Sequence, residues 1–245
     1  MAAPTELLAA WEIGLTLPTS SAQRAALLHA LARPGRAADE LLGIPVGTRD
    51  AELLGLRAAL FGDVLSVRIG CPACGADLEF DVDATALAGA APDADPEPLT
   101  DGDWTVRFRL PTPADLLAVR ELAAAGAEDV RRSLAARLVL DARRGDRAVR
   151  AGRLPERVVH RLAEAVAAAD PAADISFAMA CPDCGADVRA QLDIATYLWD
   201  ELDAWARTTL ADVHALASSY GWTEPDVLAL SPLRRRYYLE LAGHG

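Results

Sequence analysis

All four cysteines of this 245-residue chain lie in two copies of one short motif. Cys71 and Cys74 stand in the first copy, CPACG, and Cys181 and Cys184 stand in the second, CPDCG. Two cysteines three positions apart on a tight turn can point at one ion, and paired motifs of this kind are typical of Zn²⁺ held by four thiolates. The glycine after the second cysteine can adopt a positive φ, which lets backbone N–H groups approach the sulfurs. These four residues are the predicted ligands of one Zn²⁺.

The two motifs belong to a longer repeat. Residues 71–83 read CPACGADLEFDVD and residues 181–193 read CPDCGADVRAQLD, so seven of thirteen positions match at an offset of 110. Each copy follows an apolar run and precedes an alternating one in the same register, which predicts a β-hairpin with the cysteines at its tip. Asp83 and Asp193 end the copies and can N-cap the helices that follow. Two such hairpins facing each other form a zinc ribbon.

The spacing between the two pairs departs from an ordinary zinc ribbon, in which about 12–20 residues separate them. Here 106 residues lie between Cys74 and Cys181. Either a subdomain is inserted into one ribbon with a shared Cys₄ site, or each knuckle finds its other ligands elsewhere. We favour the shared site because no histidine lies near a knuckle. The histidines are scattered: His29, His160, His214 and His244.

Two other functions of the cysteines compete with zinc binding. The C-P-x-C pattern resembles glutaredoxin-type thiol redox sites, but those usually begin a helix, whose dipole lowers a thiol pKa. Here a glycine and a strand-like segment follow each motif. Two disulfides are the other alternative, and disulfides are rare in cytosolic proteins. Because a closed Cys₄ site leaves no open coordination position, the predicted role of the metal is structural.

Charge and hydropathy exclude several classes of protein. The chain has 24 basic residues, all arginine, against 36 acidic ones, and its net charge of -12 argues against a nucleic-acid partner. No apolar stretch reaches the roughly 18 residues of a membrane span, and the N-terminus lacks the basic region of a signal peptide. We therefore expect a cytoplasmic protein.

Motifs of the common enzyme classes are missing from the sequence. It has no phosphate-binding loop, dinucleotide fingerprint, nucleophile elbow or zinc-protease motif, and no lysine is present to form a Schiff base. No pair of carboxylates stands out in an apolar setting. The expectation is a non-enzymatic protein without catalytic residues.

The sequence around the motifs predicts an α+β fold that is mainly helical, with a small antiparallel sheet formed by the two knuckle hairpins. Residues 1–62 form an N-terminal helical region. Residues 63–87 and 174–193 form the split zinc ribbon, residues 88–173 an inserted subdomain, and residues 194–245 a C-terminal helical region.

The sequence pattern of the insert predicts one strand and several helices. Alternation predicts a strand over Trp104–Leu110, and Thr112 opens a helix with a capping box. A second helix is predicted over 127–142, a basic polar loop over 143–152, and a last helix from Pro155.

The end of the chain concentrates positive charge in an acidic protein. Ser231-Pro232 caps a final helix that carries Arg234, Arg235 and Arg236, followed by Tyr237 and Tyr238. The cluster is either ordinary solvated charge or a docking site for an acidic partner. We favour docking because this helix and the short one before it have few apolar residues for a core of their own. Leu233, Tyr237 and Leu241 can share one face.

Three patches together resemble the assembly proteins of the contractile phage-tail baseplate hub, of T4-like type, and their relatives in bacterial tail-like injection systems. The patches are LLGIPVGTRD at 41–50 with the helix through Leu56-Arg57, the two C-P-x-C-G knuckles, and the ending at 220–238. The resemblance implies a non-enzymatic component or assembly factor that contacts baseplate or hub proteins. The alternative is a stand-alone zinc-ribbon regulator or a thiol oxidoreductase.

Overall fold

The structure is a computed structural model that describes residues 3–16, 21–89, 96–124 and 130–243. The chain divides into two compact units. Residues 32–194 form one, which we call the hairpin unit, and residues 1–31 with 195–245 form the other, the helical unit. The segment predicted as N-terminal and helical is therefore shared between the two units.

The hairpin unit mixes helices with short antiparallel strands. Its helices are α3 (Ala38–Leu42), α4 (Val46–Phe61), α5 (Ala84–Ala88), α6 (Pro113–Ala124), α7 (Val130–Leu138) and α8 (Glu156–Ala169). Its strands are β1 (Val64–Gly70), β2 (Asp77–Asp83), β3 (Leu99–Asp101), β4 (Trp104–Phe108), β5 (Val139–Arg144), β6 (Arg147–Ala148), β7 (Ser176–Ala180) and β8 (Asp187–Gln191).

The two predicted hairpins are present as β1–β2 and β7–β8, but they do not form one sheet. Each is a separate two-stranded antiparallel sheet. The side chains of Phe80 and Phe177 connect them through an edge-to-face contact with centroids 5.2 Å apart. The expectation of a single small sheet was wrong because side chains, rather than a backbone ladder, join the hairpins.

Helix α4 is the support of the first hairpin. The buried Arg57 side chain donates to the carbonyl oxygens of Gly62, at 2.7 Å, and Val64, and so fixes the turn from helix to strand. At the start of α4, the Gly47 N–H donates to the buried carboxylate of Asp170 at 3.0 Å. A Cβ at position 47 would lie 1.7 Å from Asp170 Oδ1, so only glycine admits this contact.

The insert forms a four-stranded antiparallel sheet in the order β3-β4-β5-β6. Alternate side chains of β4, Trp104, Val106 and Phe108, are buried against Val158 and Leu162 of α8. The strand predicted over Trp104–Leu110 is present as β4, which ends at Phe108, and the helix predicted from Pro155 begins at Glu156. The described residues of the insert contain four strands rather than the one predicted.

The helix predicted over 127–142 is only partly correct. Helix α7 ends at Leu138 and the chain continues as β5 to Arg144, while β6 occupies Arg147–Ala148 of the predicted loop; residues 127–129 lie outside the described residues. Pairing with β4 over Val139–Arg144 explains the change, because tertiary ladder bonds outweigh the helical propensity of this arginine- and alanine-rich segment.

The helical unit consists of α1 (Pro4–Thr16), α2 (Ser21–Ala32), α9 (Ile194–Tyr220), α10 (Glu224–Leu228) and α11 (Pro232–Leu241). Trp11 of α1 donates from its indole Nε1 to Asp203 of α9 at 2.8 Å. The guanidinium carbon of Arg24 lies 4.5 Å from the ring centroid of Trp199. These contacts fasten both N-terminal helices to the long helix α9.

A buried carboxylate organises the insert where β4 leads into α6. Asp115, 1% exposed, accepts hydrogen bonds from Arg109 at 2.6 and 2.9 Å, from Arg137 at 3.0 Å and from the Thr112 N–H at 3.1 Å. Burial by itself would raise the pKa of Asp115, but the hydrogen bonds from Arg109 and Thr112 outweigh it and hold the pKa well below its usual range.

Replacement of Asp115 by asparagine is expected to lower the free energy of unfolding by about 2 kcal/mol, discounted for the partial exposure of both arginines. Since the folded pKa is depressed, the carboxylate stabilises the fold above its unfolded pKa of about 3.9, and this contribution is lost as the pH falls. Chemical denaturation should give a constant difference between wild type and Asp115→Asn from about pH 5 to 8 that shrinks below about pH 4.

Asp141→Asn is the matched control, because that carboxylate is part-exposed and, among the described residues, its one ion pair is with Arg143 at 3.3 Å. A control as destabilising as Asp115→Asn, or a difference unchanged at acid pH, would contradict this account of Asp115.

Candidate metal centre

The tips of the two hairpins have the same backbone geometry. In the first, the Cys71 N–H donates to the Ala76 carbonyl and the Gly75 N–H to the Cys71 carbonyl, both at 2.8 Å. In the second, Cys181 and Gly185 make the corresponding bonds at the same distances. Gly75 and Gly185 have φ of 77° and 73°, in the left-handed region that favours glycine. The repeated sequence therefore folds into repeated turns.

These turns bring all four predicted ligands together, with every pair of sulfurs within 4.8 Å. Cys71 Sγ lies 3.8 Å from Cys184 Sγ, and Cys74 Sγ lies 3.7 Å from Cys181 Sγ. At the repeat offset of 110, one of these pairs maps onto the other, so the centre has an approximate two-fold symmetry. A tetrahedron with zinc–sulfur bonds of about 2.3 Å has edges of about 3.8 Å. The cluster could hold a metal ion and is compatible with zinc.

The cluster is half enclosed by apolar side chains. Cys71 and Cys181 are buried with Leu78 and Val188, one from each hairpin. Cys74 and Cys184, the second cysteine of each motif, are exposed. One side of the centre therefore packs into a small core and the other faces solvent.

Backbone N–H groups favour the thiolate form at the first knuckle. Those of Cys74 and Ala73 donate to the Cys71 sulfur and lower the pKa of that thiol to about 7. At Cys74 a bond from the Ala76 N–H acts in the same direction, but the neighbouring Cys184 and Cys71 sulfurs outweigh it and raise the pKa to about 12. The Cys71 thiol therefore ionises more readily than the Cys74 thiol. A bound divalent cation would favour the thiolate form of both.

The side chains of the cluster present sulfur ligands. Within the described residues, the four cysteines are the only cluster of three or more side chains able to ligate a metal, and no histidine or carboxylate joins them; His244 lies outside those residues. Four thiolates complete a tetrahedral zinc sphere and leave no position for a substrate. The strand predicted after each motif is present, so neither C-P-x-C turn begins a helix.

The predicted partner-binding residues on α11 face different ways. Arg234, Arg236 and Tyr237 are exposed, and Arg236 pairs with Glu240 at 2.9 Å. Arg235 is buried and lies 3.8 Å from Asp212 of α9. Tyr238 is half-buried.

The rings around Tyr238 explain its partial burial. Its ring packs against Trp222 and Tyr220, with centroids 4.8 and 5.9 Å away. Of the five residues, Arg235 and Tyr238 thus hold the helix in place, and the other three line its outer surface.

Comparison with protein-family models, with curated proteins and with solved structures finds no match to this chain. None of the helices in the described ranges combines the length and the apolar composition that crossing a membrane would require.

We expect one metal ion per chain, and we expect Cys74→Ser or Cys184→Ser to reduce the bound metal and the melting temperature together. Metal binding to a site that exists only in the folded chain contributes directly to folding. The measurements are elemental analysis of protein purified without chelator and thermal unfolding. Because protons compete for the thiolates, the metal should also be lost as the pH is lowered.

Asp183→Ala is the control, since Asp183 lies between the cysteines of the second knuckle without contributing a sulfur. Two metal ions per chain, or metal retained in both serine variants, would contradict a shared four-sulfur site.

Proposed function

We propose that this chain is a non-enzymatic assembly protein whose two hairpins are the zinc knuckles of one split ribbon. The observation that carries the proposal is the meeting of four sulfurs from hairpins 110 residues apart. All lie within 4.8 Å of one another, and two of their separations, 3.7 and 3.8 Å, match the edge of about 3.8 Å of a zinc–thiolate tetrahedron. The zinc in this proposal is structural. It has no free position for a substrate, and the apolar residues at its buried side favour a permanent site.

Each hairpin needs such a cross-link. An isolated two-stranded hairpin is at best marginally stable in water, and β1–β2 and β7–β8 share no backbone ladder. A zinc ion held by both tips would lock the hairpins together and close the chain around the insert. The insert could then carry its own sheet without separating the halves of the ribbon.

The outer face of α11 supports docking to another protein. Leu233, Tyr237 and Leu241 follow one another at intervals of four residues, and they are 64%, 60% and 77% exposed. The opposite face is fixed by Arg235 and by the ring of Tyr238. An anchored helix that displays an apolar stripe is typical of a protein–protein interface. Arg234 flanks the stripe and has no ion pair among the described residues, so a partner with a carboxylate beside its apolar surface would fit.

The partner we propose is a baseplate or hub protein of a contractile tail, of a phage or of a phage-tail-like injection system, encountered in the cytoplasm during assembly. This part of the proposal is supported by the resemblance of the 41–50 segment, the knuckles and the 220–238 ending.

A triple variant of the stripe, Leu233→Ser, Tyr237→Ser and Leu241→Ser, should lose association with the partner while its melting temperature stays close to wild type. The reason is that exposed side chains contribute little to folding but much to an interface core. The measurement is co-purification with baseplate and hub proteins encoded in the same genome.

Val64→Ser with Leu140→Ser is the control, because it removes apolar side chains that are also exposed, at 56% and 58%, on strands of the hairpin unit. If the control loses association as the triple variant does, or the triple variant keeps it, the α11 face is not the interface. Arg235 should not be included in such a variant, since its replacement would remove the buried side chain that contacts Asp212 of α9.

A thiol oxidoreductase is the second candidate, favoured by the lowered pKa of Cys71 beside an exposed Cys74. Zinc-bound thiolates in a closed site exchange poorly with disulfides, so we expect the zinc-loaded protein to be inactive in insulin reduction. Activity that survives zinc loading and disappears in Cys71→Ser would make the oxidoreductase the better assignment.

A further inference from the structure

A second charged surface lies on the sheet of the insert, distant in sequence from the outer face of α11. Arg147, Ala148, Val149, Arg150 and Arg153 line a cleft of about 440 Å³ beside the edge strand β6. We call it the arginine cleft. Its three arginines are exposed, and none of the described residues that line the cleft is acidic.

The three arginines of the cleft differ from their neighbours in having no carboxylate partner among the described residues. Nearby, Arg143 pairs with Asp141, Arg144 with Asp103 and Arg157 with Asp101, as the ion-pair distances of 3.3, 2.6 and 3.2 Å show. These three neighbouring arginines are neutralised locally, and those inside the cleft have no carboxylate partner among the described residues.

The backbone around the cleft is held in place. Arg153 N–H donates to the Arg150 carbonyl at 2.9 Å in a single 3₁₀ turn, and Leu154 after it is buried in the core of the insert. The Leu154 carbonyl accepts from the Arg132 side chain at 2.8 Å. The three cations therefore project from an ordered segment, so that binding an anion would cost little backbone ordering.

Three unneutralised cations within seven residues are an exception in a chain of net charge -12. Their mutual repulsion would be relieved by a ligand carrying several negative charges. Among the described residues, the carboxylates that line the larger hollow next to the cleft are Asp103, which already bonds Arg144, and Asp146. Since no ion pair joins either carboxylate to a cleft arginine in that part of the chain, the charge of the cleft is available to an outside partner.

The edge strand indicates which kind of anion fits. The Val149 N–H donates to the Ala142 carbonyl at 2.8 Å, so in this antiparallel pair the residues on either side of Ala148 bond back to β5. The N–H and C=O of Ala148 then point outward from the sheet edge. An extended peptide could pair with this edge and set alternate side chains on the arginine side. A free phosphate could not use the edge, and in an open cleft it would remain largely solvated.

We infer that the arginine cleft binds an acidic, extended segment of a partner protein, with Asp or Glu at alternate positions contacting Arg147, Arg150 and Arg153. This binding site is separate from the α11 face and goes beyond the proposed function, so either can fail without the other.

The test is fluorescence anisotropy of the metal-loaded full chain with a labelled peptide of alternating glutamate and threonine. We expect salt-dependent binding that weakens about tenfold or more in Arg147→Gln/Arg150→Gln/Arg153→Gln. The charge-matched control is Arg36→Gln/Arg68→Gln/Arg161→Gln, which removes three exposed arginines that already pair with Glu40, Glu79 and Glu164. It should change the affinity less than about twofold.

Tripolyphosphate and single-stranded RNA of the same charge are the competing probes. Equal binding of wild type and the cleft variant would overturn the inference, as would an equal loss in the charge-matched control. Cleft-dependent binding of either competing probe that is tighter than that of the peptide would overturn the assignment to a protein segment.

Discussion

The approach of four cysteine sulfurs at the tips of two hairpins is the constraint on which the hairpin unit depends. Hydrogen bonds from backbone N–H groups lower the pKa of Cys71, while the neighbouring sulfurs raise the pKa of Cys74, so a divalent cation would favour the thiolate form of all four. Apart from the sulfurs, the hairpins are joined by a few apolar side chains and the Phe80–Phe177 contact. A metal there would therefore stabilise far more of the fold than its immediate surroundings, because it links segments that the insert keeps apart in sequence.

Local chemistry explains what could be predicted from the sequence. The knuckle turns repeat because their cysteines and glycines repeat, and Asp83 and Ser231 cap helices as predicted. The failures arose where tertiary partners decide the outcome. Residues 139–144 are strand because β4 offers a ladder, and Arg235 turns inward because Asp212 lies across from it. Neither partner can be inferred from the periodicity of the sequence.

Part of the resemblance that suggests a baseplate partner has a direct structural explanation. Gly47, in the 41–50 segment, admits the Asp170 carboxylate to the start of α4, and Arg57 fixes the turn into β1. Both residues hold helix α4 in position beside the first hairpin. The exposed stripe of α11 serves no such internal purpose, and neither do the unpaired cations of the arginine cleft. The two surfaces also differ in chemistry, one apolar and one cationic, so the proposed assembly protein would have two separate sites for partners.

X-ray absorption at the zinc edge of the purified protein tests the central claim most directly. A shared structural site predicts a first shell of four sulfurs at about 2.3 Å with no lighter ligand. A shell containing nitrogen or oxygen would contradict the account, since each knuckle would then complete its coordination elsewhere. So would protein that carries no zinc when purified without chelator.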